Sequence, residues 1–289
     1  MQAFIVKIKN NEFNKRETSV KKFTNTELKG MLGFAERLTL RVGKLIKELR
    51  NDNLELDYKN EGVELVTSAD LRADEVIKAE LSSRYPGIEI YSEESHSNDI
   101  DFYAPLWIVD PIDGTVNYAH GHYNVAISIA FAVNGEIKLG AVYCPFIGEL
   151  FSALEGAGAY LNKKRFFCSK TDDIKKAIVA TGFPYQHGSR VALIPKAQAI
   201  LANCQDIRRL GSAALDICWV ACGRFDAYYE TVKLWDMAAG YVIAKEAGTK
   251  IGYYEETNPK LPLEFNSSGL LVSNPILYDK FLKLLKTAK

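Results

Sequence analysis

Four short acidic segments hold the residues best suited to chemistry. They are Thr67-Ser68-Ala69-Asp70, Ser92-Glu93-Glu94-Ser95, Asp110-Pro111-Ile112-Asp113-Gly114-Thr115 and Trp235-Asp236-Met237-Ala238-Ala239-Gly240. In the third, Asp110 and Asp113 straddle a turn, Gly114 lets a ligand approach the backbone, and Thr115 adds a hydroxyl. The apolar run Leu106–Val109 leads straight into Asp110, and Pro111, which has no N–H, is expected to end the strand there. Carboxylates suit a hard cation, and free N–H groups at the start of a turn or helix suit a phosphate. Side by side they are what metal-assisted hydrolysis of a phosphate ester requires. By itself the hexapeptide also reads as an Asp-rich surface turn, because Asp, Pro and Gly are turn residues.

The other segments carry the same two readings. Glu93 and Glu94 follow a strand, so one of the pair faces a shared cleft and the other faces away; a solvated acidic loop is the alternative. Asp70 and Asp236 each begin a helix, where an acid is favoured by the dipole without any further role. Histidines His96, His120, His122 and His187 form no HExxH pattern, so a zinc site is disfavoured and all-oxygen ligands point to Mg²⁺, with Mn²⁺ as the substitute. The absence of a Walker A loop, a GxGxxG and a GxSxG elbow argues against an NTPase, a dinucleotide enzyme and an α/β-hydrolase.

The elements that must position these acids can be sketched from periodicity. Thr24-Asn25-Thr26-Glu27 fits a capping box, and apolar residues from Leu28 to Leu49 recur at helical spacing. A second helix is predicted from about Ala69 to Arg84, with Pro86-Gly87 beyond it. Asn134-Gly135 between two β-rich runs predicts a hairpin of 124–133 with 136–143. Residues 149–154 read as a further strand. Beyond them strands at 177–181, 225–229, 250–253 and 270–272 alternate with helices at 190–202, 213–221, 237–246 and 275–285. The class is α+β. Residues 1–23 read as an N-terminal extension. Residues 24–289 read as one domain, with a metal and phosphate half to about 165 and a substrate-completing half from about 166.

Composition narrows the function classes. Of 289 residues, 47% are hydrophobic and 25% charged, as in an ordinary globular protein. Lys+Arg and Asp+Glu balance at 36 each, so no global field draws nucleic acid or an anionic membrane. Five cysteines without a CxxC pair suggest reduced thiols, and no run of roughly 18 apolar residues marks a membrane span. A cytoplasmic location is the expectation, with neither a membrane nor a nucleic acid as partner.

In this order the segments TSAD, SEES, WIVDPIDGTVN and LWDMAAG resemble the inositol monophosphatase family of Mg²⁺-dependent, lithium-sensitive phosphatases, over about residue 27 to the C-terminus. The resemblance implies a layered α/β/α/β/α sandwich of the sugar-phosphatase type, usually a homodimer. It implies Mg²⁺, two or three ions per site, held by Glu93, Asp110, the carbonyl of Ile112, Asp113 and Asp236. Asp70 and Thr115 match the pair that orients the attacking water, and Glu93 is counted with them as catalytic. The phosphate is expected on Gly114 and Thr115. The alcohol is expected near Gly211, Ser212, Ala213 and Glu230, beside Asp113 and Asp236, with Lys59 as a mobile basic residue. The implied substrate is a small phosphorylated polyol or sugar, foremost inositol 1-phosphate. Alternatives are fructose 1,6-bisphosphate, a 3′(2′),5′-bisphosphate nucleotide, histidinol phosphate, or a regulatory role beside RNA polymerase or the ribosome. Two departures stand out: Ser92 occupies a position where glycine is usual, and Glu230 lies six residues before Asp236 where seven is usual. The pair Arg208-Arg209 suits a second phosphate or an interface.

Overall fold

A computed structural model describes residues 22–50, 56–59, 64–96, 100–183, 191 and 193–288, without the side chains of 56, 58, 59 and 64. The expected extension over 1–23 therefore lies mostly outside the described residues. Phe23 packs edge-on against Phe131 at 5.0 Å between ring centroids.

Helix α1 (Asn25–Leu49) begins where its capping box predicts. Thr24 Oγ1 accepts from Glu27 N, and the Glu27 carboxylate accepts from Thr24 N. A hairpin of β1 (Leu56–Lys59) and β2 (Glu64–Thr67) follows, which periodicity did not predict because each strand has only four residues. Thr67 ends β2 and caps α2 (Ser68–Arg84). A seven-stranded sheet comes next, in chain order: β3 (Glu89–Ser92), β4 (Leu106–Asp113), β5 (Ala126–Val133), β6 (Glu136–Cys144), β7 (Glu149–Leu154), β8 (Gly158–Leu161) and β9 (Lys164–Arg165). Only β3 and β4 pair in parallel. The β5–β6 hairpin turns at Asn134 and Gly135, both at positive φ, as the Asn-Gly signal predicts.

One prediction fails in an instructive way. Pro111 does not end β4. The strand runs through it to Asp113, and the register against β5 shifts between Asp110 and Asp113. A missing N–H is tolerated at such a bulge, which re-aims the side chains on either side of it.

Between β4 and β5 lies a short helix, α3 (Thr115–Ala119). The second half supplies β10 (Ile178–Thr181), α4 (Ile194–Asn203), β11 (Asp206–Arg208), α5 (Ala213–Ala221), β12 (Ala227–Glu230), α6 (Leu234–Glu246), β13 (Lys250–Tyr253), β14 (Leu270–Ser273) and α7 (Tyr278–Thr287). Its sheet has the order β11-β10-β12-β14-β13, parallel across the first three strands and antiparallel beyond.

The layers can be read from which residues share a core. On β4, Trp107 and Val109 face α1 and α2, whereas Leu106 and Ile108 face α5 and α6. On β12, Tyr228 faces the same middle layer and Tyr229 the opposite side, with α4 and α7. Period-two alternation on strands buried on both faces thus yields α/β/α/β/α. Helix α6 lies close on the first sheet: a Cβ at Gly140 would stand 2.6 Å from the carbonyl oxygen of Ala239.

Candidate active site

The acids converge at the end of β4, the second strand of the first sheet. Burial drives the carboxyl of Asp110 well above its ordinary range, and the fields of Glu93, Asp113, Asp236 and Asp70 push it further. The register shift brings Asp110 and Asp113 into this one field. The backbone N–H of Ile112 donates to Asp110 Oδ1 at 3.1 Å. Asp113 is gripped by the start of α5, where Ser212 Oγ (2.6 Å) and Ala214 N (2.7 Å) donate to Oδ2 and Ala213 N donates to Oδ1 at 3.3 Å. Burial still raises its pKa to about 6 against these donors. Asp236 is raised mainly by burial and then by Asp113, while Lys233 N donates to it at 2.8 Å.

Asp70 is buried at the start of α2. Its Oδ2 accepts from Thr67 N (2.8 Å) and Thr67 Oγ1 (2.5 Å), and its Oδ1 accepts from Thr115 Oγ1 at 3.0 Å. The Thr115 hydroxyl also lies 3.1 Å from the carbonyl of Ile112, and its single proton can serve only one of these acceptors at a time. Burial raises Asp70 to about 6, although its hydrogen bonds oppose the rise.

Glu93 lies in the turn after β3, with its N–H donating to Val109 O at 3.2 Å. Trp235, beside Asp236, packs on Tyr91 (5.3 Å) and His96 (4.9 Å), so the Asp236 segment is locked to the strand and turn that bear Glu93. Among the described residues, no three His, Cys, Asp or Glu side chains already stand as a formed metal-binding group. The acids nevertheless fit a hard divalent cation. Their donors are all oxygen, and their mutual repulsion in a buried place is relieved by positive charge.

Gly114 owes its identity to the backbone. It sits at φ +94°, and a Cβ there would press on the carbonyl oxygens of Asn124 (2.9 Å) and Gly211 (3.0 Å). Asn117 bridges the same junction, donating to Asn124 O (2.8 Å) and Leu210 O (2.7 Å). Gly211, Ser212 and Ala213 are thereby seated against the aspartate motif.

The second half contributes Glu230. Its Oε2 accepts from Tyr228 OH at 2.6 Å. A Cβ at Gly182 would lie 1.9 Å from that oxygen, so the carboxylate rests on bare glycine backbone. Burial raises Glu230 to about 7, while Tyr228 and Arg209 pull it down. Of the two arginines, Arg208 is engaged with Asp206, and Arg209 is the one whose field reaches Asp113, Asp216 and Glu230. Lys59 ends β1, and the expectation for its side chain lies outside the described residues.

Sequence reasoning passed over Asp216 and Tyr228. Asp216 is buried on α5 with no hydrogen-bond partner at Oδ1 among the described residues, and burial together with Asp113 and Glu230 raises its pKa well above the usual range. No local motif marks either residue: Tyr228 shares a face of β12 with Glu230, two residues on, whereas Asp216 is brought to it by the packing of α5 against β12.

Comparison with known proteins gives a consistent pattern. The sequence profile of the inositol monophosphatase family matches residues 27–289. A protein named Nus factor SuhB from Pasteurella multocida is 38% identical over 225 residues, spanning 75% of this chain and 83% of that one. Inositol monophosphatase 1 of Solanum lycopersicum is 32% identical over 272 residues, covering 92% and 98%. Among solved structures, the Thermotoga maritima IMPase superposes with a TM-score of 0.79 at 32% identity, covering 90% of this chain and 98% of that one. Among the described residues, no helix is long and apolar enough to cross a membrane.

Proposed function

This chain belongs to the inositol monophosphatase family, and from that premise we propose that it is a Mg²⁺-dependent phosphomonoesterase acting on a small polyol phosphate, foremost inositol 1-phosphate. The observation that carries the reading is that buried Asp110 lies in the fields of Glu93, Asp113 and Asp236, of which Asp113 is buried and the other two half-buried. Glu93, Asp110, Asp113, Asp236 and the Ile112 carbonyl would hold Mg²⁺, with Mn²⁺ as a substitute. Bound there, the cation neutralises phosphate charge and acts as a Lewis acid.

The chain's own groups account for the remaining steps. The amides of Gly114 and Thr115 hold the phosphate. Thr115 Oγ1 takes a proton from the attacking water as it passes its own to Asp70 Oδ1, an acid whose pKa of about 6 suits a base near neutrality. Asp113, fixed by Ser212 and Ala214, keeps α5 in register with the phosphate. Glu230, fixed by Tyr228 and Gly182, accepts from a hydroxyl of the alcohol, with Ser212 and Ala213 beside it. A homodimer, a cytoplasmic location and a single domain over 24–289 with 1–23 as its extension complete the proposal.

A released-phosphate screen tests it, using inositol 1-phosphate, fructose 1,6-bisphosphate, adenosine 3′,5′-bisphosphate and histidinol phosphate, each with and without Mg²⁺. Inositol 1-phosphate with Mg²⁺ is the predicted best pair. Turnover of any of the four that survives EDTA would refute the metal reading.

The similarity to proteins named Nus factor SuhB supports a second reading, a regulatory role beside transcription. It predicts that an Asp110→Asn strain keeps the phenotype of the intact gene. A strain that behaves like the deletion rules it out.

A further inference from the structure

Helix α2 carries two buried acids one turn apart, Asp70 and Asp74, and only Asp70 faces Thr115. Asp74 points to the turn that follows β3. Its Oδ1 accepts from Ser92 Oγ at 2.5 Å and its Oδ2 from Ser95 Oγ at 2.8 Å. Ser92 and Ser95 are the two ends of the turn Ser92-Glu93-Glu94-Ser95, which is closed by Ser95 N donating to Ser92 O at 3.3 Å. Lys78, a further turn along α2, donates to Ser95 Oγ at 2.8 Å and lies 3.9 Å from Asp74 Oδ2. One carboxylate therefore holds both shoulders of the turn that presents Glu93. The clasp also gives Ser92 a reason to be serine: it is fully buried, and glycine could not reach Asp74.

We propose that Asp74 is a positioning residue, clasping Ser92 and Ser95 so that Glu93 is held ready for Mg²⁺ and the site's metal affinity is set. This rests on Glu93 being a metal ligand. A carboxylate on a turn with free ends must be ordered before it can bind, and that entropy opposes binding. Partners that orient a ligand from behind are worth about 10–100-fold in metal affinity. If the clasp sets metal affinity by positioning Glu93, most of its effect must vanish when Glu93 cannot ligate.

Calorimetric titration with Mg²⁺, without substrate, makes this a double-mutant cycle over wild type, Asp74→Ala, Glu93→Gln and the double variant. Thermal melts establish that each is folded. Asp74→Ala is predicted to weaken Mg²⁺ binding about tenfold, to weaken it no further in the Glu93→Gln background, and to raise the half-saturating Mg²⁺ for turnover more than it lowers kcat. Asp74→Asn, which keeps one acceptor oxygen, falls between. Should Asp74→Ala not fold, Ser92→Ala carries the same prediction in smaller measure. Wild-type affinity in a folded Asp74→Ala, or losses that add across the cycle, overturn the clasp. A wild type that binds no Mg²⁺ overturns the underlying metal reading instead.

Discussion

The first sheet and the second build their parts of the site by different means. The first gathers like charges: Asp110 lies in the field of four other acids, and its neighbours Asp113 and Asp70 are lifted, chiefly by burial, to about 6. The second braces one: Glu230 has Tyr228 on one side and glycine backbone on another, and the cationic Arg209 in its field opposes that of Asp113. A crowd of buried acids is unstable without a cation, whereas a single braced carboxylate is an acceptor for a neutral donor. The proposed function assigns phosphorus chemistry to the first and recognition of the alcohol to the second, and each substitution below presses on one side of that division.

Asp110→Asn should have the largest effect. It removes the acid at the centre of the crowd, and phosphate release should fall about 1,000-fold or more, equivalent to about 4 kcal/mol of barrier. Steady-state assays with two unrelated phosphate esters should show the same loss on both. Gly182→Ala comes next. The added methyl would lie 1.9 Å from Glu230 Oε2, so the carboxylate must move. We expect kcat/KM on inositol 1-phosphate to drop about 10–100-fold, the worth of a charged hydrogen bond, with the melting temperature of the variant checking that the fold survives.

A smaller effect appears in stability. Asp70, Asp113 and Glu230 hold their protons to about 6, 6 and 7 in the folded, metal-free protein, against ordinary values of 3.8, 3.8 and 4.5. The native state thus binds protons more tightly than the unfolded chain. These groups contribute stability on the acid side, and it is lost as pH rises from about 4 through about 7. For Asp70 alone the loss is on the order of 3 kcal/mol. In EDTA the melting temperature should be lower at pH 8 than at pH 5.5, and Mg²⁺ should restore it at pH 8. A metal-free protein equally stable at both pH values would contradict the raised, buried carboxyls.

The two regions also differ in how far the sequence revealed them. Asp110 to Thr115 is contiguous and follows a buried apolar strand, so its chemistry was legible from local pattern. Even there, Pro111 misled, because a bulge tolerates what a regular ladder does not. Tyr228, Asp216 and the bare face of Gly182 carry no local signature. Tyr228 meets Glu230 across one face of β12, and Asp216 and Gly182 meet it through the packing of α5 against β12 and the pairing of β10 with β12. Asp74 was hidden differently, since an acid in a helix is ordinary until its partners at Ser92 and Ser95 are seen.

The division of labour is tested most directly by one ratio. It is kcat/KM of Glu230→Gln relative to wild type, measured at saturating Mg²⁺ on inositol 1-phosphate and on p-nitrophenyl phosphate, whose leaving group offers no hydroxyl. A loss of about tenfold or more on the first, with near wild-type turnover on the second, is the predicted result. Equal losses on both, or none on either, would contradict it.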